Sequence, residues 1–309
     1  MRKLALSDEI LLSIQQPARY IGGEVNMVVK DHSKVRTRFA FAFPDVYDIG
    51  MSHLGIQILY SMFNSREDVC CERVYSPWVD LDPIMREKKI PLFTLESQKP
   101  VKDFDFLGIT LQYEMCYTNI LQILDLAQIP LLSADRGDED PIILGGGPCS
   151  YNPEPIADFF DMFYIGESET VYYDLMDLYK EHKKNGGNRK EFLRKASHIP
   201  GIYVPSLYET TYNEDGTIRE FTPKYEDVPA KVKKRIVNNF DKVSFPDEMI
   251  VPYTDIVHDR VVLETARGCT NGCRFCQAGM IYRPVREKTT NTLIEQARKA
   301  LKATGYDEV

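Results

Sequence analysis

The chain is 309 residues long, 43% hydrophobic and 27% charged, an ordinary globular composition with length for about two domains, each with its own core. Its 46 acidic and 38 basic residues leave a formal net charge of -8, so the surface as a whole repels phosphate backbones and a nucleic-acid partner is not indicated. The amino end, MRKLALSDEILLSI, meets Asp8 and Glu9 before a long apolar run builds, and the longest charge-free stretch, residues 49–65, carries His53, Gln57 and Asn64. Neither a secretory signal nor a membrane span is expected, and the reading is a cytoplasmic protein. Seven cysteines, an odd number without the spacing of a disulfide framework, point to reduced thiols or metal ligands.

Residues 1–36 read as a helical and turn-rich lead-in. Residues 39–43 form a short apolar run ended by Pro44 and followed by the periodic stretch SHLGIQILYSMF, which predicts a buried strand feeding a helix. The alternation recurs, with strands expected at 69–75, 104–111, 142–144 and 162–165, separated by helices in DPIMREKK, CYTNILQILDLAQ and SETVYYDLMDLYKEHKK. This spacing predicts a doubly wound, mostly parallel α/β domain over residues 37–200. Ligands in such domains sit outside the carboxyl ends of the strands, where the loops PDVYDIGMSHLG, TLQYEMC and GGGPCSYNPEP leave the sheet. Gly145, Gly146 and Gly147 are therefore candidates for a ligand loop, against the plainer reading of a tight strand-to-loop turn.

Beyond NGGNRK the pattern changes. GIYVPSLYETTYNEDGTIREFTPKY alternates with period two about a NEDGT turn and predicts a β-hairpin; with the bridging stretch after it, it fills residues 201–250. Lys231, Lys233, Lys234 and Arg235 in that bridge read as a solvated face. Residues 251–309 form a second unit: a β-branched strand at 261–264, the loop ARGCTNGCRFCQAG, and a helix at about 290–304. Arg283, Arg286 and Lys288 read as a solvated turn and helix start.

Cys269, Cys273 and Cys276 are spaced C-x3-C-x2-C. Thiolates suit zinc, copper(I) or iron–sulfur clusters, so ligand number separates the options. A structural zinc site takes four protein ligands; the nearest fourth, His258, lies on the other side of the strand. Three thiolates from one loop can instead hold three corners of a [4Fe-4S] cube and leave one iron open. Gly268, Gly272 and Gly279 relieve crowding there, and Phe275 lies beside the last ligand. Two other classes stay open: an iron–sulfur electron-transfer or cluster-carrying protein, and a zinc-stabilised binding module. Cys70, Cys71, Cys116 and Cys149 read as buried thiols, Cys149 leaving the sheet on the ligand side.

The CTNGCRFC loop resembles the cluster motif of the radical S-adenosylmethionine superfamily. ARGCTNGCRFCQAGMIYRPVREK, LQYEMCYTNILQILDLA, GGGPCSYNPEPIADFFD and VPYTDIVHDR together resemble an uncharacterised radical SAM subfamily with an amino-terminal cobalamin-binding-like domain. The resemblance implies Cys269, Cys273 and Cys276 as ligands of a [4Fe-4S] cluster and Phe275 against the adenine of S-adenosylmethionine. It also implies an enzyme that reductively cleaves that cofactor to a 5'-deoxyadenosyl radical, which takes hydrogen from an unknown substrate. A reductant such as flavodoxin or ferredoxin would be a partner, and cobalamin is left open as a further cofactor.

The superfamily's barrel needs on the order of 200 residues, so the expectation is a truncated chain, an amino-terminal domain plus the first β/α unit of the barrel, inactive by itself. Gly22, Gly23 and Glu24 spell the superfamily's cofactor-binding GGE, but on the wrong side of the cluster loop, and are read as coincidence. The cobalamin signature D-x-H-x-x-G is not matched by DVYDIGMSHLG; His53 stands too far from Asp48, and is read as an ordinary residue at a helix start.

Overall fold

The computed structural model describes residues 4–169 and 171–309. Two short helices lead in. α1 (Asp8–Ser13) is capped by the Ser7 side chain, which accepts the Ile10 N–H at 3.4 Å, and α2 (Ala18–Ile21) follows. Their apolar residues Leu6, Ile10, Ile14 and Tyr20 join the main core, so this segment packs on the domain rather than trailing from it.

Strands and helices then alternate: β1 (Thr37–Phe43), α3 (Tyr47–Met51), α4 (Leu54–Asn64), β2 (Val69–Tyr75), α5 (Asp82–Lys88), β3 (Phe106–Thr110), α6 (Tyr117–Leu126), β4 (Ile142–Gly146), β5 (Met162–Tyr164), α7 (Val171–Lys184), α8 (Arg189–Ala196) and β6 (Ile202–Tyr203). The strands form one sheet in the order β2-β1-β3-β4-β5-β6. The first five are parallel, and β6 runs antiparallel beside β5. With both faces covered by helices, the parallel strands are apolar almost throughout, as β1 (TRFAFAF) and β3 (FLGIT) illustrate. The chain leaves β1 for β2 on one side and returns for β3 on the other, so the order reverses between β1 and β3, where a crevice opens.

The expected strand at 69–75 and the helix in DPIMREKK fall where predicted. The helix expected in SETVYYDLMDLYKEHKK begins at Val171, its Thr170 lying outside the described residues. Two expectations are corrected. The stretch at 201–225 is not one hairpin: Ile202–Tyr203 joins the main sheet as β6, and only β7 (Tyr208–Tyr212) and β8 (Ile218–Pro223) pair as a hairpin. Tyr203 is buried against Phe163 while β8 is almost wholly exposed, so burial decides which piece stays on the sheet.

The strand expected at 261–264 does not form either. Among the described residues its backbone has no ladder to join, only the bond from Val261 N–H to the Glu308 carbonyl at 3.1 Å. The ribbon forms two residues later, where β9 (Ala266–Arg267) pairs antiparallel with β10 (Arg286–Glu287) across the cysteine loop and the short helix α9 (Ala278–Ile281). α10 (Thr290–Thr304) follows as expected, its Thr289 hydroxyl accepting the Thr292 N–H and Gly305 ending it in the left-handed region.

β2 is an edge strand, and its outer side is closed by ions. Arg73 is completely buried; its guanidinium donates to Glu96 at 2.6 Å and to Glu24 at 2.9 Å, while the Glu96 carboxylate also accepts the Arg73 N–H at 2.7 Å. Tyr47 donates to Glu24 at 3.0 Å. The Arg73 carbonyl accepts the Leu95 N–H, so the edge is paired rather than open. Glu24 of the GGE segment is thus a partner of Arg73.

Arg73→Met keeps the volume but leaves two buried carboxylates facing each other. Urea unfolding at neutral pH should show a loss of about 3–5 kcal/mol. Burial already pushes the Glu96 carboxyl up to about 7. Losing Arg73 would raise it further and raise Glu24 too, and a raised carboxyl weakens the fold as pH rises, so part of the loss should return as pH falls from about 7 to about 5.

Candidate functional site

A cavity of about 410 Å³ lies at the carboxyl ends of β1, β3, β4 and β5, on the crevice where the strand order reverses. Its floor includes Gly108, Ile109 and Thr110, and its walls include His53, Gln112 and Tyr172. Glu264, Ala266, Arg267, Gly268 and Tyr282 close one side, so the base of the cysteine loop forms part of the cavity wall. A larger polar hollow of about 730 Å³ lies at the opposite end, around the amino ends of β1, β3 and β4, away from that loop.

The glycine run divides in two. Gly146 and Gly147 line the cavity, with Gly147 at φ +106°, where a side chain would come within 2.9 Å of the Leu111 carbonyl. Gly145 faces the core instead: a Cβ there would press on the Phe163 ring at 2.7 Å. His53 precedes α4 as expected, and also joins the cavity wall. Its Nδ1 is buried without a hydrogen-bond partner, and burial pushes its pKa down against the pull of a hydrogen bond that the ring donates to Gln112. Cys149 is buried, and burial pushes its thiol up to about 11. Cys70, Cys71 and Cys116 are buried as expected.

The cysteine loop leaves β9 and returns through β10. Gly268 sits where the two arms meet at φ +98°; a Cβ would fall 2.6 Å from the Pro284 carbonyl oxygen and 2.7 Å from that of Tyr282. Cys269 and Cys276 are half-buried and Cys273 is exposed, all three as free thiols. Phe275 is 93% exposed. No carboxylate or histidine interrupts the stretch CTNGCRFC, and its three thiols are a soft set that fits an iron–sulfur cluster. His258 lies elsewhere, its N–H bonded to the Ser52 hydroxyl at 3.1 Å. Among the described residues, no histidine or carboxylate joins the loop thiols in a set whose ligand atoms all lie within 4.8 Å.

An ionic clamp binds this loop to the sheet. After β5, Gly166 turns the chain at φ +119° against the backbone of Arg235, and Glu167 follows. The Glu167 carboxylate is gripped by both terminal nitrogens of Arg286 and accepts the Val237 N–H at 2.7 Å. Arg267 reaches Glu169 at 2.6 Å and Glu264 at 2.8 Å. Burial pushes the Glu167 carboxyl up, but the bonds from Arg286 and Val237 and the charges of Arg267 and Arg286 together hold it below its ordinary value.

The cations expected on solvated faces are corrected here. Arg286 is held by Glu167, and Lys288 is buried, its ammonium 5.3 Å from the Phe240 ring centroid and 4.7 Å from that of Phe245. Lys234 donates to the Ile281 and Arg283 carbonyls at 2.9 and 2.7 Å, and the Arg235 backbone bonds beside β5. Lys231, Lys233 and Arg283 are exposed, as expected. Sequence reasoning missed Glu167, Glu169, Arg267 and Phe240; the available signal was the acidic GESE directly after a strand, on the ligand side of the sheet.

Residues 55–205 match a family model described as radical SAM proteins, N-terminal. Over 281 residues the chain is 25% identical to Uncharacterized protein MJ0966 of Methanocaldococcus jannaschii, an alignment covering 89% of this chain and 49% of that protein. The chain therefore spans about half the length of this curated relative. No solved structure matches it. Among the described residues no helix is long and apolar enough to cross a membrane.

Glu167→Gln removes the charge opposite Arg286 and should lower stability by about 3 kcal/mol. Amide exchange should quicken across residues 278–287 while β1 and β3 keep their protection. In the unaltered chain the lowered carboxyl stabilises the fold above its unfolded value of about 4.3. That contribution is lost as pH falls through the folded value, so exchange in the same segment should rise below about pH 4.

Proposed function

We propose that this chain carries the cluster loop and amino-terminal domain of a radical SAM enzyme. Cys269, Cys273 and Cys276 would hold three irons of a [4Fe-4S] cluster, Phe275 would lie against the adenine of S-adenosylmethionine, and residues 251–309 would open the catalytic barrel. When bound, a cluster with one open iron supplies the one-electron reduction that cleaves S-adenosylmethionine to a 5'-deoxyadenosyl radical. The reading rests on one observation: three thiols, with no carboxylate or histidine between them, stand on a loop whose base forms the wall of a cavity at the carboxyl ends of a parallel sheet.

The chain's own residues hold and orient. Gly268 lets the two arms of the loop meet, and the Glu167–Arg286 pair fixes the loop against the sheet. Cys273 and Phe275 face solvent, leaving that side of the loop to a cofactor and a substrate-bearing surface. A reductant of the flavodoxin or ferredoxin kind would deliver the electron.

The cavity supports a second cofactor. It occupies the crevice where flavodoxin-like sheets bind ligands, and Gly146 and Gly147 let a ligand approach the backbone there. Cobalamin is the candidate for that place, and Gly145, packed into the core, takes no part in holding it.

Anaerobic reconstitution should yield about four irons and four sulfides per chain, with the content collapsing in Cys269→Ala, Cys273→Ala or Cys276→Ala. The longer protein, reduced in the presence of S-adenosylmethionine, should release 5'-deoxyadenosine. Stoichiometric zinc without iron would replace this reading with the binding module, and a cluster spectrum indifferent to S-adenosylmethionine would replace it with an electron carrier. Titration with hydroxocobalamin should shift the corrinoid absorption bands; an unchanged spectrum removes cobalamin.

A further inference from the structure

At the edge of the sheet, remote in sequence from the cysteine loop, three donors of different chemistry meet. We propose that His32, Cys70 and Glu72 form a zinc site with a fourth position open to a water molecule. Cys70 and Glu72 are two residues apart on β2 and so face the same side of the strand. His32 comes from the lead-in, on a segment fixed by its neighbours. The Lys30 ammonium donates to the carbonyls of Asn64, Arg66 and Val69 at 2.8, 2.6 and 2.7 Å, and the Asp31 carboxylate accepts the Ser33 N–H and hydroxyl at 2.9 and 2.7 Å.

The three ligand atoms lie within 4.8 Å of one another. His32 Nε2 is 3.8 Å from Cys70 Sγ and 2.6 Å from Glu72 Oε1, and Sγ is 3.4 Å from Oε1. Donors around one tetrahedral zinc, with bonds of about 2.0–2.3 Å, stand roughly 3.3–3.8 Å apart. Two separations are already near that range. The third opens by under about 1 Å when the His32–Glu72 hydrogen bond is exchanged for two bonds to the ion.

The supporting shell is also present. The other oxygen of Glu72 accepts from the Thr94 hydroxyl at 2.5 Å, the Ser97 N–H at 3.1 Å and the Ser97 hydroxyl at 2.6 Å, which orients the carboxylate and leaves Oε1 for the ion. Charge balances: a dication with one thiolate, one carboxylate and a neutral imidazole sums to zero, and Cys70 and Glu72 are both fully buried. Without an ion, burial and the Glu72 carboxylate push the Cys70 thiol up and keep its proton; binding would release it. His32 lines the polar hollow at the amino ends of the strands, which gives the ion and its water a way in.

The test uses the full chain with Cys269→Ala, Cys273→Ala and Cys276→Ala, so that the loop thiols contribute nothing. Cobalt(II) added anaerobically should give one equivalent of bound ion with a thiolate-to-cobalt charge-transfer band, and adding Cys70→Ser or His32→Ala should abolish the band. Absence of the band in the loop variant, or its survival after Cys70→Ser, overturns the site. X-ray absorption of the zinc-loaded loop variant needs no change at the site: one sulfur among nitrogen and oxygen neighbours supports it, and no sulfur or several sulfurs overturns it. Failure of the cluster reading would leave this result untouched, because the loop thiols are absent from the experiment.

Discussion

Glu167 follows the turn that ends β5, and its two carboxylate oxygens are shared between the Arg286 guanidinium and the Val237 N–H. Three separate stretches of chain depend on that carboxylate: the end of the sheet, the bridge around residue 237, and the strand that returns from the cysteine loop. The pair is largely withheld from water, so its strength comes from geometry in a low-dielectric setting, and both partners must be present for either to be tolerated. Arg267, bonded to Glu169 and Glu264, repeats the arrangement on the outgoing strand. The cavity wall and the cysteine loop are consequently one mechanical unit.

The two ends of the parallel sheet have different characters. At the carboxyl ends the backbone is glycine-rich and the lining is mixed aromatic and polar. At the amino ends the hollow is lined by charged groups such as Arg38, Asp105 and Lys183, already paired with one another. The covered edge at β2 borders the amino-end hollow through His32. There the lead-in supplies Glu24 to Arg73 and His32 to Glu72, so residues before the first strand complete the ionic interior of the second.

The sheet was legible because most of its strands, β2 with its Glu72 and Arg73 excepted, are continuous apolar runs bounded by prolines, glycines and periodic helices, and such runs have few alternatives. The helix at Thr290–Thr304 was legible for a similar reason, with a threonine cap at one end and glycine at the other. The segment at 261–264 misled because β-branched composition measures willingness to pair, while pairing needs a neighbour. That the three cysteines share one loop could be read from their spacing. Arg286 and Lys288 could not: a cation beside a turn is ordinarily solvated, and their partners Glu167 and Phe240 lie 119 and 48 positions away. The convergence of His32 on Cys70 was invisible for the same reason, a separation of 38 positions along the chain.

Phe240 carries a consequence for how this region tolerates change. Arg267, Arg286 and Lys288 all approach its ring, at 5.0, 5.8 and 5.3 Å from the centroid, within a small core it shares with Val237 and Val243. The ring's electron-rich faces attract each cation without adding a formal charge of their own. A leucine would fill much of the same volume and satisfy every hydropathy criterion, yet it would remove the aromatic face that all three cations approach. At this position the hydrophobic core is also an electrostatic part, and size-matched exchange is not a conservative one.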